Sequence, residues 1–242
     1  MITLYQFRRA FGVPNPSPFC MKVETYLRLA GLDYEISEVI DPSKAPKGKC
    51  PYIEDAGRTV ADSHFILSYL KETYGDPLGE GLSAADRAAH LALTRMMEGH
   101  LYFTLLHSRW IQPQNVPIVR DVFFGAMPWP MGGLIFAMVQ RQTRKVLHGQ
   151  GLGRHTTEEI DGLAIEDLRA LDAILGERPY YGGDAPREID CVTWGYIANA
   201  LAEPFQSPVK DAAKAMPALV AYSARMMEGV FPELAKGGAA GG

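Results

Sequence analysis

SPFCMKVETYLRLAG, residues 17–31, reads as a helix with both of its ends marked. Ser17 is an N-cap residue, and Pro18 occupies the first helical position, where a missing N–H costs nothing. Phe19, Val23, Tyr26, Leu27 and Ala30 recur at helical spacing, and Gly31 stands where helices commonly stop. Upstream, Ile2, Leu4 and Gln6 alternate as a strand, followed by an irregular connection from Arg8 to Pro16. Downstream, Asp33 to Val39 alternates as a second strand. Tyr52-Ile53-Glu54 and Arg58-Thr59-Val60-Ala61 flank a turn with Gly57 in the tight position. Asp62 and Ser63 then cap a helix carrying Phe65, Ile66, Tyr69, Leu70 and Tyr74, which Gly75 closes. Strand, helix, three strands and helix make a small α/β unit.

Beyond that unit the pattern changes. Pro77, Gly79 and Gly81 mark a linker, and from Ala84 to His107 the run of Ala, Leu, Met and Arg predicts one long helix. Helices are also predicted at Thr157–Leu175, Cys191–Leu201 and Ala218–Val230, so the second half is helical apart from a Pro-rich insertion around 112–133. The 242 residues carry a formal net charge of -4, which argues against a phosphate-backbone partner and so against nucleic acid. Three cysteines (Cys20, Cys50, Cys191) suit free thiols in a reducing compartment, and no secretory signal is visible. VFFGAMPWPMGGLIFAMVQ, residues 122–140, has no charged residue, but Pro128, Pro130, Gly132 and Gly133 would interrupt a spanning helix. A buried insertion or interface is the main reading. A membrane-surface contact helped by Arg141, Arg144 and Lys145 is the alternative.

The chemistry concentrates where the first strand hands over to the first helix. A helix N-terminus exposes unpaired N–H groups and a partial positive charge that favour an anion such as a thiolate, and the Ser17 hydroxyl can donate to it. Equally, Ser17 is a plain cap and Cys20 a small buried hydrophobe. Lys49-Cys50-Pro51-Tyr52 enters a strand through proline. A cis bond there would bare the N–H and C=O of Cys50 for a peptide, whereas a trans bond would simply mark an edge strand. Asp62-Ser63 is either a ligand-binding helix start or an ordinary cap.

Together these three elements resemble the glutathione-transferase family, and the resemblance covers nearly the whole chain. It implies a thioredoxin-like domain at 1–76, a linker at 77–83 and an all-helical domain at 84–236. The helical domain would carry an apolar insertion at about 112–150, with a flexible tail at 237–242. It also implies glutathione as co-substrate, with no metal. Ser17 falls on the catalytic position, Pro51 on the cis-proline, and Asp62-Ser63 on the pair that holds the γ-glutamyl group. Cys50 would offer the backbone contact to the tripeptide's cysteine, Lys49 would meet its glycine carboxylate, and Phe19 joins the binding set. Within the family the chain is similar to the branch of failed-axon-connections and metaxin-like proteins. The residues that carry this are Ser17 to Cys20, the run Ala61 to Ile66 with Tyr69-Leu70-Lys71, Gly149 to His155 before Glu158-Glu159, and Arg109-Trp110. Two departures stand out. Arg187 replaces the Ser or Thr that usually stands three residues before Asp190, so the reciprocal helix cap is not expected to form, while Asp190 can still cap the helix itself. The first connection is long, and its Arg8 and Arg9 are placed to cover the thiol or meet a carboxylate.

The implied mechanism is thiolate activation by Ser17 and attack on a small electrophile lodged against Tyr102, His107 and Trp110. Two alternatives differ in class. One is a non-catalytic module whose residues 122–139 dock on a membrane or protein partner, and the other is a thiol-redox protein using Cys50 and Cys20. A cytoplasmic homodimer acting in detoxification completes the expectation.

Overall fold

Alternation builds a four-stranded mixed sheet in the computed structural model, which describes residues 1–237. The strands are β1 (Ile2–Gln6), β2 (Tyr34–Glu38), β3 (Tyr52–Asp55) and β4 (Arg58–Ala61), in the spatial order β2-β1-β3-β4. β1 runs parallel to β2 and antiparallel to β3, and β3 is antiparallel to β4. Ile2, Leu4 and Gln6 point into the core, as a period of two requires. The β3–β4 hairpin closes on Ala56 and Gly57, both at positive φ, as a two-residue turn matched to strand twist needs. Between β2 and β3, Pro42, Pro46 and Gly48 leave only a single turn of 3-10 helix, Pro42–Lys44.

α1 (Pro18–Leu29) and α2 (Ser63–Tyr74) pack against the core of the sheet. α1 is buried on nearly all sides, because its outer face meets α8 (Glu188–Leu201) of the helical half. Val23, Tyr26 and Leu27 serve the sheet, while Met21 joins the helical core. Lys22, almost fully buried, crosses between the halves to Glu98 at 2.8 Å.

Every element after α2 is helical: α3 (Ala84–Met96), α4 (Tyr102–Trp110), α5 (Val116–Phe124), α6 (Met131–Gln150), α7 (Thr157–Leu175), α8, α9 (Pro208–Lys214), α10 (Pro217–Val230) and α11 (Pro232–Gly237). The predicted long helix from Ala84 is continuous through α4 but widens into a π-turn at Met97–Leu101, a feature that recurs at functional sites. The Pro-rich insertion is not irregular as expected. α5 starts with a proline in its first turn and α6 follows Pro130, both tolerated positions. α9 and α11 escaped sequence reading because each is short and begins at a proline. The part of the predicted tail beyond Gly237 lies outside the described residues.

Candidate functional site

Strand register brings the sequence elements to one edge. Tyr52 pairs with Tyr5 on one side and with Ala61 on the other, so Pro51, Asp62 and the end of β1 share the same end of the sheet. Because α1 leads from the end of β1 back to a parallel β2, its N-terminus also sits at that end. The Cys50–Pro51 peptide bond is cis. Ser17 caps α1 through a long contact, accepting from the Cys20 N–H at 3.4 Å, which leaves the hydroxyl weakly engaged. Asp62 caps α2, accepting from the His64 N–H at 2.9 Å, while its backbone is held at φ +85°. A non-glycine residue in that region is strained, and such strain collects at ligand clamps. Ser63 is buried beside it.

The path into Ser17 is fixed by Asn15, which the sequence does not mark, and by Arg109, which it marks only through the family resemblance. Asn15 is fully buried; its amide donates to the Phe7 carbonyl at 2.6 Å and its Oδ1 accepts from the Ser17 N–H at 3.0 Å. Arg109, in the last turn of α4, donates to the Pro16 carbonyl at 2.8 Å and to the Asn199 carbonyl and Oδ1 at 2.8 and 2.7 Å. The rings of Phe205 and Phe11 cover its guanidinium. Burial pulls that group down to about 9, and it remains a cation at neutral pH, satisfied by neutral oxygens and aromatic faces. No spacing signal could have revealed this, since its partners come from distant segments.

The remaining sequence-assigned residues divide. Phe19 packs edge-on against Tyr102, with ring centroids 5.0 Å apart, which places Tyr102 beside the α1 tip. Trp110 instead stacks on Phe123 and Phe136 of the insertion. His107 lines a cavity of about 560 Å³ formed with Ile111, α6 and Ile160. So the three proposed electrophile walls do not gather in one place. Lys49 is exposed, and it is Lys47 that lies over a ring, that of Phe65 at 4.5 Å.

Arg9 does meet a carboxylate, but the protein's own: it pairs with Glu24 at 2.7 Å, and Gln6, Arg28 and Tyr34 complete a buried network around that residue. Arg8 reaches the Val122 carbonyl. The cap at Asp190 is one-sided, as the sequence implies. The Arg187 side chain cannot accept, yet its N–H donates to Asp190 at 2.9 Å. The N–H groups of Tyr181 and Gly182 do the same at 2.7 and 2.9 Å. Burial works against the thiol-redox reading. Cys20 is sealed and its thiol is driven far above the ordinary range by desolvation, with Ser17 opposing. Burial pushes Cys50 up to about 11, which disfavours its thiolate.

Comparison with known proteins fits this geometry. A glutathione S-transferase N-terminal domain model matches residues 18–115, and a glutathione S-transferase C-terminal domain model matches residues 164–226. The chain is 30% identical to the isoprene-epoxide glutathione S-transferase of Rhodococcus sp. (strain AD45), over 93% of this chain and 98% of that one. The chain belongs to the glutathione S-transferase family. The chain is also 31% identical to Failed axon connections of Drosophila melanogaster over 96% of its own length, and spans 59% of that protein. It is 28% identical to metaxin-1 of Macaca fascicularis, over 95% of this chain and 75% of that one. In fold it resembles the beta-etherase LigF from Sphingobium sp. strain SYK-6, with a TM-score of 0.66, 19% identity and coverage of 97% and 98%. The expected cytoplasmic location is overturned: the metaxins and Failed axon connections among its relatives point away from a purely cytoplasmic protein.

Proposed function

We propose that this protein binds glutathione at the edge shared by α1, Cys50–Pro51 and α2, and activates its thiol for transfer to a small electrophile. Asp62 would pair with the γ-glutamyl ammonium and Ser63 donate to its carboxylate, with the Cys50 backbone facing the central residue. The Ser17 hydroxyl and the α1 N-terminus would then favour the thiolate, because donors to the charged form lower a pKa. The observation that carries this is the register, Tyr5–Tyr52–Ala61, which brings these separate segments to one end of the sheet. Relatedness to a Rhodococcus protein named as a glutathione S-transferase supports turnover, and family membership supports a homodimer. Thiolate absorbance of bound glutathione tests the mechanism. Ser17→Ala is expected to raise the thiol pKa by about one to two pH units, the value of one charged hydrogen bond. An unchanged titration would remove Ser17 from the mechanism.

A second reading is peripheral membrane contact through residues 122–139. Exposed apolar side chains in that segment favour it, as do metaxins among the relatives. No described helix is long and apolar enough to cross a membrane.

A further inference from the structure

The insertion presents two surfaces. Phe123 and Phe124 turn inward on Trp110 and Phe136, so the N-terminal half of the apolar stretch is core. Past Pro128 the apolar side chains turn outward: Trp129 is 94% exposed, Leu134 68% and Met138 65%. Along α6 the positions Met131, Leu134, Met138, Arg141, Lys145 and His148 follow one another at steps of three or four and form a single stripe. That stripe lies opposite Gly132, Phe136, Thr143 and Leu147, which face the core. Its first half is apolar and its second half basic.

Charge in this region departs sharply from the rest of the chain. Residues 122–157 hold Arg141, Arg144, Lys145 and Arg154 and no Asp or Glu, within a protein of net charge -4. Among the described residues none of these four cations has a carboxylate partner. The cavity beside them is lined by Arg141, Arg144 and Lys145 and likewise by no carboxylate. Cations near a helix C-terminus offset the helix dipole, but that effect calls neither for the exposed Trp129 nor for the apolar stripe continuing into them.

We propose that the outer face of α6, with Trp129 at one end and Arg141, Arg144 and Lys145 at the other, docks on the surface of an anionic phospholipid bilayer. Apolar side chains enter the boundary of the acyl chains while the cations meet lipid phosphates, as in helices that lie in the membrane plane. This rests on the membrane reading above and relocates its contact from 122–139 to 129–148. Charge complementarity selects the occupant. Protein interfaces deplete charge at their centres, whereas this stripe brings a block of one sign directly onto an apolar ridge.

The test is co-sedimentation of the full chain with phosphatidylcholine vesicles and with phosphatidylcholine–phosphatidylglycerol vesicles. Wild type is expected to pellet with the anionic vesicles, less so at high salt. Arg141→Gln/Arg144→Gln/Lys145→Gln is expected to lose about tenfold or more of that affinity. Trp129→Ser/Leu134→Ser/Met138→Ser is expected to lose it as well. All replaced side chains are exposed, so both variants should keep wild-type circular dichroism and glutathione binding. If wild type pellets with no vesicle, the membrane reading itself falls. If wild type pellets but both variants pellet equally well, the reading stands and the α6 face is wrong. Self-association in the absence of lipid, abolished by the serine variant, would make a second copy of the chain the occupant and overturn the proposal.

Discussion

Arg109 and the cations of α6 carry the same kind of charge in opposite circumstances. The first is buried in α4, held by the carbonyls of Pro16 and Asn199 and by the Asn199 amide oxygen, with aromatic rings above it. The others stand exposed, in a stretch with no carboxylate. A buried cation without an anion persists only where the surrounding oxygens need it as much as it needs them, so Arg109 is architecture. An exposed row of cations without anions adds little to the fold, and its use lies outside the molecule.

That contrast is broken or sharpened by substitution. The largest effect is expected from Arg109→Met, which strands three buried acceptors and releases the connection leading to Ser17. Denaturant unfolding should show a loss of about 2–4 kcal/mol, and glutathione binding should fall with it. Next comes Asp62→Gly. Glycine caps nearly as well as aspartate and relieves the positive φ, so stability should change by less than about 1 kcal/mol. Loss of the carboxylate should nevertheless weaken glutathione binding about tenfold or more in a calorimetric titration.

His107 gives a smaller, pH-dependent effect. It is buried, its Nδ1 has no partner among the described residues, and burial holds its imidazole below the ordinary 6.5. The unfolded chain therefore takes up its proton first as pH falls through 6.5, and stability drops in that window. The slope contributed is at most about 1.4 kcal/mol per pH unit, and His107→Gln should flatten it in unfolding curves between neutral pH and mild acid. His90, also lowered by burial, adds a slope of the same sign that should remain. Smallest is the effect of Arg141→Gln/Arg144→Gln/Lys145→Gln on folding, expected within about 0.5 kcal/mol of wild type by the same unfolding measurement. A large loss there would mean that these cations too are structural.

Local signals explain what could be read in advance. Ser17-Pro18 and Asp62-Ser63 announce helix starts through cap chemistry, and Ala56-Gly57 announces a hairpin, because each is a contest decided within a few residues. α7 was readable to its ends for the same reason, since Thr156 and Glu159 close a capping box. Long-range partnerships were not legible. Arg109 finds Pro16 and Asn199 across more than eighty positions of chain, and His107 and Trp110 face different neighbours although both lie on α4. The apolar insertion misled for a related reason. Its composition is uniform, yet tertiary packing divides it into an inward half at Phe123 and Phe124 and an outward half at Leu134 and Met138.

Calorimetric titration of the wild-type chain with reduced glutathione bears most directly on the claim that α1, Cys50–Pro51 and α2 form one tripeptide site. Saturable binding of one glutathione per chain is expected, weakened at least about tenfold in Asp62→Gly while that variant unfolds like wild type. Absence of binding by a folded wild-type chain, or equal binding by Asp62→Gly, would contradict it.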